Sequence, residues 1–277
     1  MASVKQIAQR LKSVKNMGKI TKSMKMVSAS KYTRAERELQ LAKHFGLGAQ
    51  AFYEKAEVQE PEDEKAPRIF FAISSDKGLC GAIHSSVAKA VRLELNDKQT
   101  AVSKVICVGD KMRAALQRKH GDHILFVCKE IGRIAPTFTD ASKLAQEAMN
   151  AGYKFDGGKI FYNKFVSAVA YKTSSISLFS TDLVQAAPKL STYDSIDPDV
   201  IQNYLEYSLA SLLFYAMKEN ACSEQSSRMS AMDNASKNAA EMSQKLSLIY
   251  NRTRQASITR ELTEIVSGAA AIAETGK

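Results

Sequence analysis

Tryptophan is absent, and the 5 prolines (Pro61, Pro67, Pro136, Pro188 and Pro198) all fall in the middle of the 277-residue chain. A proline inside a helix removes a hydrogen bond and clashes with the preceding turn, so two proline-free ends are free to be long helices. No run of uncharged apolar residues is long enough for a helix to cross a bilayer. Four cysteines, Cys80, Cys107, Cys128 and Cys222, form no CxxC pair and match no zinc spacing. In a chain of this length they read as reduced, mostly buried thiols. His120 and His123 have no further ligand nearby in sequence, so they read as polar residues near a helix end, and no metal is expected. No GxxxxGK[ST] occurs anywhere, which removes a Walker-type phosphate cradle.

What is present is helical at both ends. From the start, Val4, Ile7, Leu11, Val14, Met17, Ile20, Met24 and Val27 recur at steps of three and four, with one break in the heptad rhythm near Met17. The apolar seam is narrow, which predicts one partner helix rather than a broad core. Every charged residue before Glu36 is Lys or Arg, from Lys5 to Arg34. An acid-free, basic, serine-containing start also describes an organelle transit peptide. The pattern runs on without a break into an acid-containing helix, so the chain is expected to be a mature form from which such a peptide is already absent. Met17-Gly18 inside this helix is a departure, since an internal glycine costs about 1 kcal/mol.

Residues 54–67, acidic and carrying two prolines, predict a helix end and a linker. The texture then changes. Arg68–Ser74, Ser103–Gly109, His123–Cys128 and Lys159–Phe165 read as strands, and Ala168–Tyr171 as leading into a hairpin with Ser175–Phe179. Helical stretches near 82–96, 110–120 and 140–151 separate the first four, so the sheet is expected to be mostly parallel, with an antiparallel extension. Asp197 before Pro198 predicts the cap and first residue of a second long helix. Ala239, Met242, Leu246, Ile249, Thr253 and Ala256 form its expected seam, and at 1.5 Å per residue it would reach roughly 115 Å. The organisation expected is therefore a helix over 1–57, an α/β domain over 67–195 and a longer helix over 197–277, with the two helices antiparallel and the end of the second standing alone.

Three chemical readings compete. The loop Asp76-Lys77-Gly78-Leu79-Cys80-Gly81 follows the first strand and opens a helix, where nucleotide folds seat a phosphate. Its glycines are spaced GxxG, however, which favours a plain tight turn, and Cys80 has no recognisable His–Asp set beside it. The basic first helix could hold nucleic acid, but residues 1–31 contain no aromatic residue on which bases could stack, so no nucleic-acid partner is expected. The small-residued apolar segment Leu262–Ile272 on a lone helix end calls for a covering surface.

The stretch Lys19-Ile20-Thr21-Lys22-Ser23-Met24-Lys25-Met26-Val27, the loop Ser75–Gly81, the segment Ser223–Met229 and above all YNRTRQASITRELTEIVSGAAAI (Tyr250–Ile272) resemble the γ subunits of F-type ATP synthases, in wording closest to the mitochondrial branch. The resemblance covers the whole chain. It implies a long antiparallel coiled coil of the terminal helices with an inserted Rossmann-like α/β domain, and a central rotor without catalysis or cofactor of its own. Implied partners are the α3β3 hexamer of F1, the δ and ε subunits, and the membrane c-ring, bound through the α/β foot. The implied location is the matrix side of the mitochondrial inner membrane. Carried over residue by residue, Arg254 and Gln255 would catch a β-subunit loop, and Arg228, Thr259 and Glu261 would make other ring contacts. Lys22 and Lys25 would face acidic lever loops, and Leu262, Ile265, Val266, Ala269 and Ile272 would turn in an apolar sleeve. With Thr253 at heptad position a, Arg254 and Gln255 fall at b and c and point away from the seam.

Overall fold

A computed structural model describes residues 3–60, 66–97, 103–194 and 196–275 of the chain. The middle of the expected linker, 61–65, lies outside the described residues. Helix α1 spans Val4–Ala56 and helix α6 spans Pro198–Thr275. Between them come β1 (Arg68–Ile73), α2 (Ile83–Asp97), β2 (Lys104–Val108), α3 (Asp110–His120), β3 (Ile124–Cys128), α4 (Phe138–Asn150), β4 (Gly157–Ser167), β5 (Ala170–Phe179) and the short α5 (Thr181–Gln185). The chain divides into two compact units, Ser28–Met229 and Met1–Val27 with Ser230–Lys277, so each long helix contributes to both.

The larger unit is built on a five-stranded sheet of order β3-β2-β1-β4-β5. β1 pairs in parallel with β2 and β4, β2 in parallel with β3, and β4 antiparallel with β5. The expected antiparallel extension is present, but Ala168–Tyr171 is not a strand of its own. A turn follows Ser167 and β5 runs unbroken from Ala170, because Thr173 to Ser177 pair continuously with Lys159 to Asn163. β1 is buried on both faces, and strand alternation divides it. Ile69, Phe71 and Ile73 join a core with α4 and the adjoining stretches of α1 and α6, while Phe70 and Ala72 join a second core with Val87 and Val91 of α2 and Met112 and Leu116 of α3. α4 starts on a reciprocal cap: Asp140 N–H donates to Thr137 Oγ1 at 3.3 Å and Thr137 N–H to Asp140 Oδ2 at 2.8 Å. α1 ends when Glu57 turns left-handed (φ 53°) and Val58 N–H reaches back to Tyr53 O at 3.1 Å. Here α1 and α6 run antiparallel, since the Tyr53 and Ser208 hydroxyls meet at 2.5 Å while Lys218 Nζ donates to Glu38 Oε2 at 2.7 Å.

In the smaller unit the helices are again antiparallel: Lys25 Nζ lies 2.6 Å from Asp233 Oδ1, and Gly18 faces Ala239. The expected break in the heptad is not there. The inward residues of α1 are Val4, Ile7, Leu11, Val14, Gly18, Thr21 and Lys25, then Ser28, Tyr32, Ala35, Leu39, Ala42, Gly46, Ala49, Tyr53 and Ala56, an unbroken alternation of threes and fours. Met17, Ile20 and Val27, expected in the seam, are 57%, 57% and 58% exposed. On α6 the inward set is Ala239, Ser243, Leu246, Tyr250, Thr253 and Ser257, while Met242, Ile249 and Ala256 are exposed. Val4, Ile7, Leu11, Val14 and Leu246 keep part of this seam apolar, while Gly18, Thr21, Ala239, Ser243, Thr253 and Ser257 fill the rest and Met17, Ile20, Val27, Met242 and Ile249 are left on the outside. All described residues from Ile258 to Ile272 are exposed.

Candidate functional site

Two places carry the chemistry the sequence pointed to. The first is the loop after β1. Asp76 turns its carboxylate back over the carboxyl edge of the sheet. Oδ1 accepts the N–H of Asp110, the first residue of α3, at 2.6 Å, and Oδ2 accepts the N–H of Glu130, beyond β3, at 2.6 Å. Asp76 N–H in turn donates to Ile131 O at 3.1 Å, Ser74 N–H to Val108 O at 2.8 Å and Lys111 N–H to Ser75 O at 3.2 Å. Gly109 (φ 100°) and Gly132 (φ 87°) close on Ser75 so tightly that a Cβ on either would lie within 2.7 and 2.8 Å of it. In an open sheet of this order a dinucleotide uses that crevice and sets its phosphate on a helix N-terminus. Here Gly109 and Gly132 close on Ser75 at the end of β1, and the helix N-terminus is taken by Asp76.

The same loop holds a Cys–His pair that sequence reasoning missed. His84, the second residue of α2, brings Nε2 within 3.2 Å of Cys80 Sγ and 3.0 Å of Lys77 O. The i, i+4 spacing was the signal that could have found it. The pair is chemically quiet: burial pushes the Cys80 thiol up to about 11 and holds the His84 imidazole below its ordinary value, so the neutral forms face each other. The loop is fastened to α6, where Ser227 Oγ donates to Cys80 O at 2.6 Å and Arg228 reaches Gly78 O at 3.4 Å. Arg228, expected to touch a surrounding ring, is instead buried and ion-paired with Glu224 one turn back. Its burial comes from the loop after β1, which lies against this stretch of α6 and is distant in sequence.

The second place is the outward face of the smaller unit. Arg254 and Gln255 are both exposed, as b and c positions should be, and the Arg254 guanidinium lies 6.0 Å from the Tyr250 ring. Thr259 donates to Gln255 O at 3.0 Å, and Glu261 accepts from Ser257 at 3.1 Å; both residues are exposed. Leu262, Ile265, Val266 and Ile272 are exposed large apolar residues, and Ala269 is exposed with them. The expected basic pair is split. Lys22 is exposed, but Lys25 sits at a seam position and binds Asp233, which also takes Lys237 at 2.9 Å. The hydrogen bonds from Lys25 and Lys237 hold the Asp233 carboxyl below its ordinary range. His120 and His123 are 6.0 Å apart between ring centroids, and among the described residues no group of three or more His, Cys, Asp or Glu could hold a metal.

A coiled coil with a bare apolar face, joined to an α/β domain whose nucleotide seat is occupied by its own chain, defines a class of protein that works by contact. The family model for ATP synthase matches residues 3–272. Mitochondrial ATP synthase subunit gamma of Drosophila melanogaster is 58% identical over 272 residues, spanning 98% of this chain and 91% of that protein. The F(1) complex subunit gamma of Rattus norvegicus is 54% identical over 273 residues, spanning 98% and 100%. The chain belongs to the family of ATP synthase γ subunits. Among solved structures, a chain of the Tetrahymena thermophila mitochondrial ATP synthase central stalk and c-ring matches with a TM-score of 0.67 at 28% identity, over 78% of this chain and 99% of that one. A chain of the Euglena gracilis mitochondrial ATP synthase matches in fold over 99% of this chain and 96% of that one, with a TM-score of 0.79 at 19% identity.

Proposed function

We propose that this chain is the central rotor of a mitochondrial ATP synthase, coupling proton-driven rotation of the c-ring to the conformational cycle of the catalytic β subunits, and that it carries no catalysis itself. It works on the matrix side of the inner membrane, inside the α3β3 hexamer of F1. The α/β domain, residues 67–195, is the foot that meets δ, ε and the c-ring. The observation that carries this reading is the outward apolar face of the coiled coil: Met17, Ile20, Val27, Met242 and Ile249 face outward, while Gly18, Thr21, Ala239, Ser243, Thr253 and Ser257 share the seam with Val4, Ile7, Leu11, Val14 and Leu246. A helix pair that leaves this much apolar side chain outside needs a surrounding surface to cover it.

Within that reading the outward residues take the ring contacts. Arg254 and Gln255 form the catch for a β loop, with Thr259 about one turn and Glu261 nearly two turns further along. Lys22 supplies positive charge toward acidic levers, a contact that turns without interlocking. Leu262, Ile265, Val266, Ala269 and Ile272 are the bearing surface in an apolar sleeve. Lys25 and Arg228 act inside the chain, the first as a bridge between the helices, the second as a lock on the loop after β1.

The test is reconstitution with the α and β subunits. The isolated chain should hydrolyse no ATP and should co-purify as one copy per α3β3 ring. Changing Arg254→Ala together with Gln255→Ala should lower the rotation obtained per ATP while the helical circular dichroism of the chain stays unchanged. A double variant that loses helicity, or one that rotates as well as the parent, would remove these two residues from the catch.

A further inference from the structure

We propose that Asp76 is a tethered anion: its carboxylate sits in the phosphate seat of the α/β domain, and by holding that seat it fixes the loop after β1 that bonds to Ser227 and Arg228 of α6. The proposal rests on the rotor reading and adds a positioning residue to it.

The geometry supports it at three points. First, the seat is real. Asp110 N–H is at the N-terminus of α3, whose first peptide groups point outward with their positive end, and Glu130 N–H comes from a separate loop. The two donors converge on one carboxylate, one on each oxygen, both at 2.6 Å, the short distance of hydrogen bonds to an ionised acceptor. Second, the arrangement is held against backbone preference. Glu130 takes φ 66° and Leu79 φ 63°, left-handed values that side-chain-bearing residues adopt only where their surroundings impose them. Third, Asp76 stands between the sheet and the helix. Behind it are the ends of β2 and β3; ahead of it Gly78 O and Cys80 O take the bonds from Arg228 and Ser227 of α6. The sheet also packs on α6 directly, through Ile69 and Phe71 and through the bond from Ser223 to Asn163 O, and the loop whose base is set by this carboxylate adds a second connection beside that packing. Asp76 is half-buried, so a small anion can reach the seat once the side chain is removed.

An asparagine has the same outline but offers one acceptor oxygen and turns an NH2 group toward the second N–H, so it cannot replace the carboxylate. In complete ATP synthase reconstituted into proteoliposomes, Asp76→Ala and Asp76→Asn should each lower the protons pumped per ATP hydrolysed by about threefold or more, the range in which loss of a coupling contact acts. Millimolar formate should return the Asp76→Ala enzyme toward the parent ratio, while formamide, neutral and of the same size, should not. Formate on the parent complex serves as the control. If Asp76→Ala fails to assemble, Asp110→Pro removes the helix donor at a position where proline is otherwise accommodated, and Asp110→Ala keeps that donor while losing the same side chain. Proline should then uncouple and alanine should not. Parent-like coupling in Asp76→Asn, equal rescue by formamide, or equal behaviour of the two Asp110 variants would overturn the proposal. Failure of the rotor reading would look different, since the parent complex itself would then pump no protons.

Discussion

Two glycines in α1 occupy equivalent seam positions for different reasons. At Gly18 an added Cβ would lie 3.5 Å from the Ala239 Cβ, an ordinary contact, so nothing there requires glycine. At Gly46 the same atom would run into the Tyr215 ring. Gly18→Ala should therefore stabilise the chain by about 1 kcal/mol, the helix-propensity gain. Gly46→Ala should destabilise it by about 1–3 kcal/mol, the cost of overpacking. Thermal unfolding of the two variants reads both signs at once, and a matching sign would refute the seam geometry. Cys80 offers a pH-dependent check. Its thiol is buried and shifted from 9.0 to about 11 by desolvation, so the folded chain binds its proton more tightly than the unfolded one. The stability this group lends is complete below 9.0 and falls as pH rises toward about 11. Alkylation of Cys80 by iodoacetamide should stay slow below pH 9.0 and accelerate only as the higher value is approached. Rapid labelling near neutrality would mean that His84 activates the thiol after all.

The elements themselves were legible in the sequence. Strand-rich runs separated by helical ones identified the parallel sheet, and the absence of proline identified α1 and α6, because both signals depend on local backbone chemistry. The helix faces were legible only in part: Val4, Ile7, Leu11 and Val14 of α1 are inward as expected, and the register fails further along. Reading apolar as inward chose Met17, Ile20 and Val27 on α1 and Met242 and Ile249 on α6, and all five are outside. The rule assumes that a chain buries its own apolar residues. It fails where those residues are left for another surface and the seam is filled by Gly18, Thr21, Ser28, Ser243 and Ser257. Thr253 and Leu246 were placed correctly because that half of the heptad is common to both registers. A pair of substitutions separates the two. Leu246→Ala, in the observed seam, should cost about 1–2 kcal/mol of chain stability. Ile249→Gln, on the outward face, should change it by no more than about 0.5 kcal/mol. Chemical denaturation of the isolated chain gives both values, and the reverse order would restore the apolar seam.

At the scale of the molecule, what escaped sequence reasoning was whatever depends on distant segments meeting. Asp76 looked like part of a plain turn because its two partners, Asp110 and Glu130, lie 34 and 54 residues away. Arg228 looked like a surface contact because nothing local says that Gly78 and Glu224 surround it. The exposed end of α6, in contrast, was legible, since it follows from one helix having 53 residues and its antiparallel partner 78. That difference leads to a prediction about division of labour. The described residues from Ile258 to Ile272 contribute exposed surface and no part of either core, so ending the chain before Ile258 should leave the melting temperature of the isolated chain within about 2 °C of the parent. The same deletion removes Leu262, Ile265, Val266 and Ile272, four large side chains whose burial in a surrounding sleeve would each be worth about 1.5–3 kcal/mol if complete. Affinity of the truncated chain for the α3β3 ring should fall by at least about tenfold, the effect of one such side chain. Ring binding at parent strength would show that the sleeve does not hold the rotor. A lowered melting temperature would show instead that the end of α6 packs onto its own chain.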